Sequence, residues 1–189
     1  LSLSILLTLG LGASSSWAAS PGEIRWFDLV TEDATAAKAF YTELLGWGLE
    51  ISPSGSFIAT LDGRPVAGIS QVDGKFPEKD ESTWLAAILV ADLPASVNKA
   101  TELGAQVLEP ISRVEGYGSY AVIEDPQGAP AMLVVTEREL GGLEGPGAWA
   151  WAELWTDDID ASSVFYSEVI GYDRSEVGSA SGPYPVFTA

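Results

Sequence analysis

Residues 21–47 and 146–172 carry one pattern twice, 125 positions apart. Eleven of the twenty-seven aligned positions are identical, among them Trp26/Trp151, Leu29/Leu154, Asp33/Asp158, Phe40-Tyr41/Phe165-Tyr166 and Gly46/Gly171. In the first copy, Ile24 to Thr31 is rich in aromatic and branched residues and reads as a strand. Asp33 then stands where a helix is capped. Ala36, Ala37, Phe40, Tyr41, Leu44 and Leu45 recur at three- and four-residue spacing, and Gly46 closes the helix. Phe40, Tyr41 and the helix leucines read as packing residues. One strand with one amphipathic helix leaves a sheet face bare, so the unit needs neighbours. The recurrence reads as a tandem duplication.

The stretch after the first copy supplies those neighbours. Short strands are expected at Gly48 to Ile51, Ser56 to Leu61 and Pro65 to Val72, with Asp62-Gly63 as a hairpin turn. Lys75 to Ser82 is polar, contains Pro77 and reads as a surface linker. The order then restarts. Trp84 to Val90 is strand-like, and Asp92 opens a helix with Pro94 in its first turn. Val97, Ala100 and Leu103 form its inner stripe, and Gly104 ends it. Strands are expected at Gln106 to Glu109, Tyr117 to Ile123 and Ala131 to Thr136, with Asp125-Pro126-Gln127-Gly128 as the last turn. Residues 22–136 therefore predict an α+β domain. Two βαβββ modules pair into a cupped mixed sheet with the helices outside. No Gly-rich phosphate loop follows the first strand, which argues against a dinucleotide fold. Residues 137–147 hold four glycines and a proline and read as a linker; 148–189 read as a partial second domain, cut within its early strands.

Composition narrows the chemistry. The 189 residues include no cysteine and no histidine. Disulfides, thiolate nucleophiles, Ser-His-Asp triads, zinc-binding HExxH helices and His-carboxylate iron sites are excluded. A carboxylate-only site for magnesium, calcium or manganese is not. Nine basic residues face twenty-seven acidic ones, a formal charge of -18. Such a surface repels nucleic acid and anionic membranes. The acids are spread along the chain, as a solvated surface requires.

The first twenty residues stand apart. Leu1 to Gly12 is apolar, Ala13 to Ser20 is small and polar around Trp17, and no charge appears before Glu23. This reads as a signal peptide, too short to span a membrane comfortably, and it predicts an exported protein with no membrane span in its mature part. Leu11-Gly12-Ala13-Ser14 is similar to a bacterial lipobox with serine in place of cysteine, so lipid anchoring is not available to this sequence.

The runs PGEIRWFDLVTEDATAAKAFYTELLGW and GAWAWAELWTDDIDASSVFYSEVIGY resemble the opening of glyoxalase/bleomycin-resistance/dioxygenase-like domains, the vicinal oxygen chelate superfamily. WLAAILVADLPASVNKATELGAQVLEP and YAVIEDPQGAPAMLV resemble the closing half of such a domain. The resemblance implies paired modules around a cavity. In metal-dependent members, His and Glu side chains on the strands hold a divalent ion. Those positions fall at Trp26 or Phe27, near Trp84 or Leu85, and at Met132. None of these is a normal ligand, so no metal and no cofactor are expected here.

Trp26, Phe27, Trp84, Tyr117, Tyr120 and Met132 are the candidates for a cavity wall suited to flat or apolar ligands. Alternation sends Trp26 and Phe27 to opposite faces, so one of them is expected to pack against the helix. Asp28 shares a face with Trp26 and is a candidate hydrogen-bond acceptor or base. Asp125 reads as a turn residue. The expected function is metal-independent binding of a small apolar or aromatic molecule. The alternatives are a lyase or dioxygenase-type enzyme whose active site lies in the second domain, and a degenerate structural domain. Unmatched apolar residues of the second copy (Trp151, Leu154, Phe165 and Val169) are expected to pack on the first domain or to drive self-association.

Overall fold

Strand β1 (Ile24–Thr31) joins the two halves of the sheet. The computed structural model describes residues 20–52, 55–71, 82–138, 141–179 and 182–188. The expected targeting segment, apart from Ser20, and the expected linker, apart from Ser82, lie outside these residues.

The first module is β1, α1 (Ala34–Leu45), β2 (Gly48–Ile51), β3 (Phe57–Leu61) and β4 (Arg64–Gln71). The second is β5 (Thr83–Leu89), α2 (Leu93–Glu102), β6 (Gln106–Val114), β7 (Gly118–Glu124) and β8 (Pro130–Thr136). The strands form one sheet in the order β2-β3-β4-β1-β5-β8-β7-β6. β1 lies parallel to β4, and β5 parallel to β8. The modules meet where β1 and β5 pair antiparallel. This is the predicted α+β sheet of paired βαβββ modules. A further helix, α3 (Ile159–Ile170), and a separate hairpin of β9 (Asp173–Ser179) and β10 (Gly182–Thr188) come after it. Among the described residues, no helix is long and apolar enough to cross a membrane.

Local chemistry explains the boundaries. Asp33 caps α1 by accepting the Ala36 N–H at 2.8 Å, and Gly46 closes it in the left-handed conformation. Asp158 and Gly171 do the same for α3. Asp92 caps α2 through the Ala95 N–H, with Pro94 in the first turn. β6 continues beyond the expected Gln106–Glu109, through Pro110 to Val114. It is an edge strand with register shifts on both sides of Glu109, so a residue without an N–H is tolerated there.

The sheet has an apolar core on its helix side. Leu93 and Ala100 of α2 share a core cluster with Ile88, Ile123 and Leu133 of the sheet. Leu29, Ala34, Ile69, Trp47 and Val66 pack near α1. Phe165 and Val169 of α3 complete the α2 core, whereas Trp151 and Leu154 are exposed. The apolar stripe expected for α1 is only partly used. Tyr41 and Leu45 pack inward, but Phe40 and Leu44, the counterparts of Phe165 and Val169, are 56% and 61% exposed. The difference is one of neighbours: α3 lies on α2, and no described helix lies over that face of α1. Residues 151–156 also form no strand. β1 draws its ladder from β4 and β5, and no equivalent strands flank 151–156 among the described residues.

The glycine-rich segment expected as a linker is strapped to the first module. The Trp47 indole donates to the Gly147 carbonyl at 2.7 Å, and the Trp149 indole to the Val66 carbonyl at 2.8 Å. A Cβ at Gly141 would sit 1.7 Å from the Arg25 carbonyl oxygen, so this close approach needs glycine.

Candidate functional site

The other face of the sheet is concave and encloses a cavity of about 640 Å³. Its floor is an apolar cluster of Trp26, Leu85, Ala87, Val122, Met132 and Val134, drawn from four neighbouring strands. Strand alternation decides what reaches it. Trp26, Asp28 and Val30 of β1 face the cavity, as do Leu85 and Ala87 of β5. Tyr117, Tyr120, Leu108 and Ser112 form the opposite wall.

Five of the seven expected site residues therefore meet here: Trp26, Asp28, Tyr117, Tyr120 and Met132. Phe27 and Trp84 do not. They alternate with the cavity-facing residues of their strands and point to the helix side. Phe27 stacks on Trp149 at 4.0 Å between ring centroids, and the Trp84 indole donates to the Tyr41 hydroxyl at 3.1 Å. Their aromatic character serves the packing around Trp47.

Asp28 is the polar centre of the cavity. Its Oδ2 accepts the Trp26 indole N–H at 2.6 Å. The adjacent Arg25 is engaged elsewhere, pairing with Glu23 at 2.6 Å. Asp28 is enclosed by protein yet keeps some surface toward the cavity. Desolvation raises its pKa above the ordinary 3.8, and the indole only partly opposes that. β4 makes the room. Gly68 is the register partner of Asp28, and a Cβ there would lie 2.0 Å from Oδ1. Across the cavity, the Tyr120 hydroxyl donates to Glu109 Oε1 at 2.7 Å. Burial and that carboxylate push the Tyr120 hydroxyl well above its usual pKa, so it remains a donor.

Gly68 and Glu109 belong to the site and were not among the expected residues. A glycine inside an apolar strand signals close approach, and that signal was present at Gly68. Glu109 lay at the end of the expected strand, and continuation past Pro110 carries it into the wall. Asp125 is the expected turn residue: its Oδ1 accepts the Gln127 and Ala129 N–H groups, both at 2.9 Å. It is also tied to α3 by the Tyr166 hydroxyl.

The sequence profile of the Glyoxalase/Bleomycin resistance protein/Dioxygenase superfamily matches residues 23–133. The chain belongs to this superfamily. It is similar to CFP32 of Mycobacterium tuberculosis, which carries a provisional glyoxylase name, at 36% identity over 85% of this chain and 64% of that protein. It is 30% identical to the anthracycline biosynthesis protein DnrV of Streptomyces peucetius, over 89% of this chain and 67% of the relative. It thus spans about two-thirds of the length of these relatives. Solved structures share the fold. The Mn(II)-bound glyoxalase of Novosphingobium aromaticivorans matches with a TM-score of 0.59 at 19% identity, over 82% of this chain and 54% of that one. Homoprotocatechuate 2,3-dioxygenase of Arthrobacter globiformis gives 0.57 at 16%, over 89% and 56%.

The superfamily's divalent metal can be tested against the residues in this cavity. The strand positions that the resemblance assigns to its ligands bring Trp26, Leu85 and Met132 to the floor. Indole and alkyl groups offer no lone pair to a hard dication, and a thioether is a soft donor. Among the described residues, no group of three or more acidic side chains is placed to hold a metal ion. The donor set does not fit the metal.

Proposed function

We propose that this domain binds a small, flat, largely apolar molecule on its concave face without a metal ion. The carrying observation is the cavity: about 640 Å³, with an apolar floor and a few fixed polar groups. That is the volume and lining of a small-molecule pocket. Trp26, Tyr117 and Tyr120 offer ring faces and edges, and apolar contact over that floor favours a ligand that needs little solvation. Similarity to a protein named for the biosynthesis of an anthracycline, a fused-ring aromatic, supports the same ligand class. An exported location is part of the proposal and rests on the character of residues 1–20.

Thermal unfolding in the presence of acridine tests this reading. Acridine raises the melting temperature in proportion to the logarithm of its concentration once the site fills. Mg²⁺ and Mn²⁺ give no comparable rise. Ser112→Trp, which places an indole in the wall from an edge strand, abolishes the acridine shift. A shift that persists in that variant places the ligand elsewhere.

A further inference from the structure

We infer that the ligand of this cavity carries a positive charge on its aromatic framework, and that Asp28 and Trp26 together receive it. The inference rests on the cavity being the binding site and adds the ligand's charge.

The two acidic side chains lining the cavity, Asp28 and Glu109, are accompanied by no Lys or Arg among the described residues. Arg138 lies over the Tyr117 ring at 4.5 Å but is not a lining residue. The Glu109 carboxylate already has the Tyr120 hydroxyl as donor. Asp28 has the Trp26 indole, a neutral donor, at 2.6 Å. An ionised Asp28 therefore stands in an enclosure with no cation of the protein's own. A buried carboxylate resolves that cost by holding a proton or by meeting an opposite charge. A cationic ligand supplies the second solution and displaces the proton. The Trp26 ring beside it offers a π face to the same cation.

The groups around Asp28 do not compete. β4 presents Gly68 and Ser70, β5 presents Leu85 and Ala87, and β8 presents Met132 and Val134. The titratable groups that line the cavity with it are Glu109 from β6, Tyr120 from β7 and Tyr117 from the turn between those strands. Gly68 matters because it lets the carboxyl lie against the strand and leaves the space above it open. The second copy of the repeat carries the same combination at the same spacing. Trp151 and Glu153 stand 125 positions after Trp26 and Asp28, although the Glu153 carboxylate there accepts from the Tyr184 hydroxyl at 2.7 Å and the Trp155 indole at 3.4 Å.

The test compares 10-methylacridinium, a permanent planar cation, with acridine, neutral near pH 7.5, by fluorescence titration of the full chain at 0.15 M salt. The cation is expected to bind at least tenfold more tightly, with one molecule per chain. Asp28→Asn brings the two affinities to within about twofold of each other, whereas Glu109→Gln keeps most of the preference. In the unaltered protein, affinity for the cation rises as pH rises through the Asp28 titration, because the proton must leave. Acridine bound as tightly as the cation, or a preference that survives Asp28→Asn, overturns the inference and leaves the cavity reading intact. If neither compound binds, both fall. General attraction to the acidic surface would persist in Asp28→Asn and disappear at high salt.

Discussion

Burial makes the Asp28 carboxyl easier to protonate in the folded chain than in the unfolded one. A carboxyl with a raised folded pKa contributes stability that is fully present below its unfolded value, 3.8, and lost as pH rises through the folded value. Asp28→Asn keeps an acceptor for the Trp26 indole and removes the charge. The variant is therefore expected to gain on the parent protein as pH rises from about 4 toward neutrality. Urea denaturation midpoints of both proteins across that range measure it. A constant difference, or a parent that gains with pH, contradicts the stated environment of Asp28. Asp28's position on the Trp26 face was legible from alternation alone. The rise in its pKa was not, because the burial that causes it depends on Gly68, on β5 and on the far wall, which pairing brings together over large sequence separations.

The helices of the two copies offer a controlled comparison at the scale of elements. Phe40 and Phe165 occupy the same place in α1 and α3, yet Phe165 is 4% exposed and Phe40 56%. Removing a buried Phe costs both transfer energy and a cavity, about 3–5 kcal/mol. An exposed position costs within about 0.5 kcal/mol. Chemical denaturation of Phe165→Ala and Phe40→Ala is expected to reproduce that contrast. Equal losses would show that α3 does not hold its place on α2, or that α1 is covered. Element identity was readable because caps, turns and periodicity are local: Asp33, Gly46, Asp92 and Asp62-Gly63 all stand where the elements begin, end or reverse. What the pattern could not show was which side of an amphipathic helix would find a neighbour. The same limit explains Phe27 and Trp84. Alternation left one of Trp26 and Phe27 for the helix face without saying which, and Trp84, expected at the cavity, serves the helix face as well.

For the molecule as a whole, the paired modules bend one sheet around a single concave face, and the superfamily match covers the region that builds it. The expected architecture came from the order of elements and the resemblance together. The cavity's apolar chemistry was legible only through the resemblance, which assigns ligand positions to residues that the fold brings to the floor as Trp26, Leu85 and Met132. The proposal is then a binding domain that uses the superfamily's enclosure without its metal. Equilibrium dialysis with acridine, after exhaustive treatment with EDTA and with elemental analysis of the same sample, tests it most directly. The account predicts one acridine bound per chain, no stoichiometric metal, and an affinity unchanged when Mn²⁺ is returned. A tightly held divalent ion at one per chain, with acridine binding lost on its removal, would contradict it.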